Sequence, residues 1–420
     1  MEQLLFAPGI QVERRAYIWN LISSVVFSIQ SALFLLVITR AGGPAEAGVF
    51  LILFTTAQTL NALGNYNIRE FQVSDLREEY PFSSYYTTRW ITCLCMAAAA
   101  VGYGIIREVD GNGFAALAGL VAYRFIECIE DVYHGDVQRA GRFDVTSVCM
   151  SLRIILSSAA FCLCYIISRS LPLSAAVLAV SSLVCYTLLI RPIRRHFPDL
   201  KPGRSFDLVP KLLKTCFPLF AGTFLYSYLI NAPRYAIDAL LTEDAQTIYG
   251  VLFLPVLVVN VLSTFIYRPQ LVTLSRLWNE GDLSAFRKKI IGQLGLVAGL
   301  TGMIILGGAL IGLRLLEIIY GVALEAYRGP FLLLLLFGGF AASAFYLNTL
   351  LTVMRKQGWI LLAYGAALVM NLLTTNVLVK SRGIAGAGLA YGVIMGSLLL
   401  FDVCAVIFQI RRRARTQDPG

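Results

Sequence analysis

The sequence predicts an all-α polytopic membrane protein of about twelve transmembrane helices, in two six-helix lobes related by a parallel pseudo-two-fold repeat. Three observations predict it. Of 420 residues, 57% are hydrophobic and only 14% charged, with a mean hydropathy of +0.71, whereas soluble domains carry about 25% charged residues. Apolar stretches of about 20 residues, enough to cross a bilayer core as a helix, recur along the whole chain. The chain also matches itself at an offset of six such stretches. A water-soluble enzyme is excluded as the main reading.

In order, the stretches lie near 16-39, 46-65, 84-106, 113-135, 145-168, 171-190, 215-240, 246-267, 290-312, 329-353, 358-379 and 384-409. The first follows Glu13, Arg14 and Arg15, and no small-residue cleavage site comes after it, so it is expected to stay as a helix rather than be removed. Between the sixth and seventh, residues 191-214 contain Pro192, Pro198, Pro202, Gly203 and Pro210. This proline-rich stretch reads as a cytoplasmic linker between lobes 1-190 and 215-410, with 411-420 a basic tail. The seventh stretch carries Pro218 and Pro233, which remove backbone donors and predict a kink.

The repeat supports the division. An offset of 199 aligns Leu53-Phe54 with Leu252-Phe253, Asn61 with Asn260, Leu63 with Leu262, Arg69 with Arg268 and Arg77 with Arg276. An offset of 213 pairs Ser168-Arg169 with Ser381-Arg382. Six spans between copies give both the same orientation, as in transporters built from parallel repeats.

The net charge of +10 is distributed as a topology signal. On the side opposite the N-terminus stand only Arg40, Arg107, Arg169, Arg314, Arg328, Lys380 and Arg382, against 24 Lys and Arg on the N-terminal side. Both termini are therefore expected in the cytoplasm. No concentrated basic domain exists to bind nucleic acid. The nine cysteines fall in or beside apolar segments and read as small buried packing residues, without metal-ligand spacing.

Four arginines, Arg89, Arg124, Arg153 and Arg234, fall inside spans, where a charge is costly and marks function or pairing. In the fourth span Arg124, Glu127, Asp131, His134 and Gln138 share one helix face, with Glu130 beside them. That face is either an internal ion-pair ladder, Arg124 with Glu127 and Asp131 with His134, or the wall of a polar cavity. The seventh span repeats the theme with Ser227, Asn231, Arg234 and Asp238, where Arg234 and Asp238 at i,i+4 have the spacing of an ion pair. Arg153 is followed one turn on by Ser157, and Arg89 is expected to snorkel to the interface. Arg124, Arg153 and Arg234 would suit a phosphate or pyrophosphate, because guanidinium offers a rigid fork of donors. Glu127, Asp131, His134, Asn231 and Asp238 are the polar groups for the same cavity or for a coupling ion. Uncharged stripes, Asn20, Ser24, Ser28 and Ser31 or Thr55, Gln58 and Thr59, read chiefly as close helix packing.

Enzymatic constellations are weak. Glu130 and His134 have i,i+4 spacing but no third metal ligand nearby. There is no GxxxxGK[ST] phosphate loop, so transport would draw on H+, Na+ or the membrane potential, with no cofactor.

Several stretches together resemble the polysaccharide-exporter branch of the multidrug/oligosaccharidyl-lipid/polysaccharide (MOP) flippase superfamily. They are GNYNIREFQVSD at 64-75, YPFSSYYTTRWIT at 80-92, QRAGRFDVTS at 138-147, NAPRYAIDALL at 231-241, IYGVLFLP at 248-255, RPQLVTLSRLWNEGDLSAFRKK at 268-289 and GIAGAGLA at 383-390. The resemblance implies a bacterial plasma-membrane flippase that moves undecaprenyl-pyrophosphate-linked oligosaccharide repeat units outward by alternating access, for O-antigen, capsule or similar polysaccharide. It further implies a V-shaped pair of lobes, a cationic central cavity, and polymerase and other glycan-assembly proteins as partners. Related peptidoglycan-precursor flippases carry two extra C-terminal helices for the lipid tail, and the twelve spans counted here depart from that pattern, which puts the tail groove in doubt. The runner-up is a multidrug or small-cation exporter of the same fold using Glu127, Asp131 and Asp238, which three buried arginines oppose. A membrane glycan polymerase or ligase would need a long external catalytic loop, and the external loops here are short.

Overall fold

The computed structural model describes residues 5–6, 12–75, 79–267 and 270–417. Among these residues every regular element is helical and no strand occurs. Arg77 and Arg268, used above for orientation and for the repeat, lie outside the described residues, as do the last three residues of the tail.

The chain divides into two compact units, residues 1–224 and 225–420. The first contains α1 (Val12–Gly42), α2 (Pro44–Asn65), the short α3 (Ile68–Ser74), α4 (Phe82–Ile106), α5 (Gly111–Arg139), α6 (Phe143–Ser168) and α7 (Leu171–His196). The division falls inside α8 (Val209–Leu240). The second unit continues with α9 (Glu243–Tyr267), the short α10 (Leu271–Glu280), α11 (Leu283–Gly307), a π-helical turn at Gly308–Gly312, α12 (Leu313–Tyr320), α13 (Arg328–Val353) and α14 (Gln357–Gln417).

Eleven of these helical segments are long and apolar enough to cross a membrane. The last, α14, spans 61 residues, some three times what a bilayer requires. It breaks at Gly383, where φ is 58° and ψ is −133°. Only glycine adopts this backbone without strain. The GIAGAGLA stretch thus joins the expected eleventh and twelfth spans. A second glycine makes the bend possible, since a Cβ at Gly386 would stand 1.9 Å from the carbonyl oxygen of Leu378.

The helix starts follow local chemistry. Asp110 accepts a hydrogen bond from Gly113 N at 3.0 Å and caps α5, and Asp282 accepts from Ala285 N at 2.9 Å and caps α11. The linker is shorter than expected: Arg191–His196 extend α7 and Val209–Lys214 begin α8, leaving 197–208 outside the helices. Pro192 is accommodated inside α7, whose last turn holds Arg194, Arg195 and His196, cations that the carbonyl end of a helix favours. The basic tail likewise continues α14 as far as Gln417.

All nine cysteines are free; Cys95 and Cys404 are exposed rather than buried, the other seven buried or half-buried. Large apolar side chains such as Ile167, Leu310 and Leu400 stand exposed. Surface of that kind is stable against lipid tails, not water.

Candidate functional site

In the first unit the charges inside the spans converge on α5. Arg89 on α4 is fully buried and donates to Asp131 Oδ2 at 2.9 Å. The other oxygen of Asp131 accepts from Arg69 on α3 at 2.7 Å, and Arg69 also donates to Gln138 Oε1 at 2.9 Å. One carboxylate therefore holds two guanidiniums. Arg89 does not snorkel: its Nη1 reaches the carbonyls of Gly64, at 3.1 Å, and Asn65. Those carbonyls close α2, whose last turn lacks intrahelical donors and carries partial negative charge, so an inward cation is the better solution.

Arg124, 1% exposed, donates to Glu127 Oε2 at 2.6 Å and to Gln58 Oε1. Arg153, 0% exposed, donates through Nε to Glu130 Oε2 and through Nη1 to Ser182 Oγ at 3.3 Å. Both guanidiniums lie 5.3 Å from the centroid of the Tyr123 ring, close enough for cation–π attraction. Tyr123 is held in turn by Gln30, whose amide donates to its hydroxyl at 3.0 Å and to Ser158 at 2.9 Å.

The ladder expected on α5 thus exists with different rungs. Arg124 pairs with Glu127, but Asp131 turns to Arg69 and Arg89, and His134 faces Glu130 at 3.7 Å. Two guanidinium forks offer a carboxylate more donors than one imidazole can. Just beyond the spans, Asp75 accepts from the backbone of Glu79 at 3.0 Å and Tyr80 at 3.2 Å, and from the Tyr85 hydroxyl at 2.8 Å. Burial opposes its charge, yet these donors outweigh burial and hold its carboxyl below the ordinary carboxylate range.

The second unit treats polarity differently. Arg234 on α8 is half-buried, donates to Asn231 Oδ1 at 3.1 Å, and lies 5.0 Å over the ring of Phe253. Phe253 packs against Tyr249 at 5.8 Å and Tyr391 at 5.1 Å between ring centroids. Gln246, Tyr249 and Phe253 recur at i, i+3 and i+7 on one face of α9. Both amide atoms of Gln246 and the hydroxyl of Tyr249 are buried with no hydrogen-bond partner among the described residues. Asp238, further along α8, is half-buried.

Asp402 on α14 was not singled out in the sequence. It is 0% exposed, and neither carboxyl oxygen has a hydrogen-bond partner among the described residues. Its helix neighbours Leu399, Ala405 and Val406 pack in an apolar cluster with Tyr346 and Leu350. The signal was present, since Asp402 is the sole charged residue between 384 and 409.

No protein-family model and no curated protein matches the sequence. Solved structures match in fold. The lipid II flippase MurJ in its inward closed conformation gives a TM-score of 0.73 at 11% identity, over 94% of this chain and 87% of that one. An inward-facing multidrug resistance MATE family transporter of the MOP superfamily gives 0.67 at 12% identity, over 95% and 100%. A MOP superfamily transporter from Pyrococcus furiosus gives 0.57 at 10%, over 99% and 98%. At such identities the likeness is one of architecture, and the chain has the fold of the MOP superfamily transporters.

Proposed function

We propose that this chain is a flippase that carries undecaprenyl-pyrophosphate-linked oligosaccharide repeat units from the cytoplasmic to the outer leaflet of a bacterial plasma membrane by alternating access. Both termini would be cytoplasmic, and glycan-assembly proteins such as a polymerase would use the product. The observation that carries this reading is Arg234. It presents a guanidinium with Asn231 and Phe253, next to a helix face on which Gln246 and Tyr249 keep buried polar atoms unsatisfied. A fork of donors for phosphate oxygens beside amide and phenol groups for sugar hydroxyls is the set that such a substrate requires. The lipid-linked substrate named for the MurJ structure supports the same reading.

Arg124 and Arg153, bonded to Glu127 and Glu130 in the first unit, take a supporting role in this reading. With no nucleotide-binding loop in the sequence, coupling falls to H+, Na+ or the membrane potential. A small-cation exporter of the same fold is the second reading. One observation favours it: Asp402 is a buried carboxyl whose oxygens have no donor. Glu127 and Asp131 do not, being engaged by arginines.

The test is the leaflet distribution of the lipid-linked oligosaccharide in cells depleted of this protein and of any redundant flippase. The expected result is accumulation on the cytoplasmic side, relieved by the native chain and not by Arg234→Ala at equal membrane abundance. Unchanged outward transfer in the depleted cells would overturn the flippase and advance the cation exporter.

A further inference from the structure

The second unit carries an apolar groove that no part of the transport reading uses. Arg287, Ile291 and Leu294 recur at i, i+4 and i+7 on α11, and Val403, Ile407 and Arg411 at i, i+4 and i+8 on α14; together they line a cavity of about 390 Å³ floored by Leu347. That volume lies within the roughly 300–1,000 Å³ usual for ligand pockets. Seven residues of helix advance about 10 Å, so the groove runs from its charged mouth well into the apolar zone. Ile291 and Ile407 are exposed along its sides.

The mouth is cationic. Arg287 sits in the second turn of α11 and Arg411 close to the end of α14, so both belong to the same end of the unit. Both are exposed. Neither makes a hydrogen bond or an ion pair among the described residues, in contrast to Arg413, which donates to Asn279 O at 3.4 Å and lies 4.4 Å over the ring of Trp278. That contact fastens the end of α14 to α10. The sequence adds Lys288, Lys289, Arg412 and Arg415 nearby. Of the acidic residues at this end, Asp282 caps α11 and Glu280 faces Arg276 at 3.8 Å.

An apolar trough open at the side and closed at one end by two uncommitted guanidiniums matches one kind of occupant. We propose that it binds an anionic glycerophospholipid of the leaflet at this end, with one acyl chain between α11 and α14 and the phosphate between Arg287 and Arg411. The tail is drawn from water-free surroundings, so the arginines supply the selectivity and the groove supplies the register.

The test uses the full-length protein in nanodiscs of phosphatidylcholine containing phosphatidylglycerol, followed by native mass spectrometry of the lipids retained on release. The native chain retains phosphatidylglycerol in preference to phosphatidylcholine. Each arginine near an anionic lipid contributes about five-fold, so Arg287→Gln with Arg411→Gln lowers that preference by about 25-fold. Arg382→Gln, on an exposed residue outside the groove, leaves it unchanged. Ile407→Trp fills the trough without touching charge and lowers retention of both lipids. Preference surviving the double arginine change within about two-fold would overturn the proposal. So would retention unaffected by Ile407→Trp, which would mean a charged surface without a groove. Displacement of phosphatidylglycerol by a ten-fold smaller amount of undecaprenyl phosphate would also overturn it, assigning the groove to the carrier lipid instead.

Discussion

The two units differ in how they treat charge inside apolar helices. The first pairs its arginines with carboxylates, although Glu130 Oε1 and His134 Nε2 there also lack hydrogen-bond partners among the described residues; the second holds a buried carboxylate with no donor among them. In the first, Arg69, Arg89, Arg124 and Arg153 meet Asp131, Glu127 and Glu130 in short contacts. In the second, Gln246, Tyr249 and Asp402 hold buried atoms with no partner among the described residues. Removing one member of a buried pair strands the other charge, whereas removing an unpartnered group strands nothing. The first pattern stitches helices together; the second leaves chemistry available.

Breaking the shared carboxylate gives the largest expected effect. Asp131→Ala leaves Arg89 buried without its counter-charge, at a cost of about 3 kcal/mol. Lower thermal stability of the purified protein in detergent and lower membrane abundance should both report it. Arg153→Met should cost nearly as much while Glu130 remains. Adding Glu130→Leu should bring stability back to within about 1 kcal/mol of native, because two apolar groups replace the pair. A double variant no better than the single one would show that Glu130 has a further essential contact. Asp402→Leu should go the other way and stabilise by about 1 kcal/mol, since it removes two oxygens that lack donors. If it also abolished coupled transport, Asp402 would be the coupling group of the second unit.

The smallest effect concerns Asp75. Its folded-state affinity for a proton is lowered, so its contribution is present above the ordinary carboxylate range and is lost as pH falls through its depressed folded-state value. Asp75→Asn should therefore remove under about 1 kcal/mol near neutral pH and make stability less sensitive to acid. A chemical-unfolding series across acidic pH, native against variant, measures it.

The architecture was legible in the sequence because bilayer thickness fixes helix length, and apolar runs of that length cannot be hidden. The break between the last two spans was legible as well, because Lys380, Ser381 and Arg382 interrupt the apolar run, and the backbone turns at the adjacent Gly383. On α5 the spacing of Arg124, Glu127, Asp131 and His134 revealed the shared face. It did not reveal that Asp131 is claimed by Arg69 and Arg89, because partners from α3 and α4 come from tertiary packing and have no fixed offset in sequence. Arg89 was misplaced for the same reason: an arginine near a span's end ordinarily reaches outward, and here the open carbonyls of α2 draw it in. Asp402 was passed over because it has no polar neighbours, although isolation is what sets it apart.

The most direct measurement of the central claim compares Arg153→Met with Glu130→Leu, as one double variant, against Arg234→Met, scoring leaflet transfer and thermal stability on the same preparations. The account predicts that the double variant transfers lipid-linked oligosaccharide within about two-fold of native, its pair being structural. Arg234→Met should lose about ten-fold or more in transfer with its stability little changed, as expected for a lost charge-assisted contact to substrate. Loss of transfer in a stable double variant, with Arg234→Met active, would contradict it and return the cationic site to the first unit.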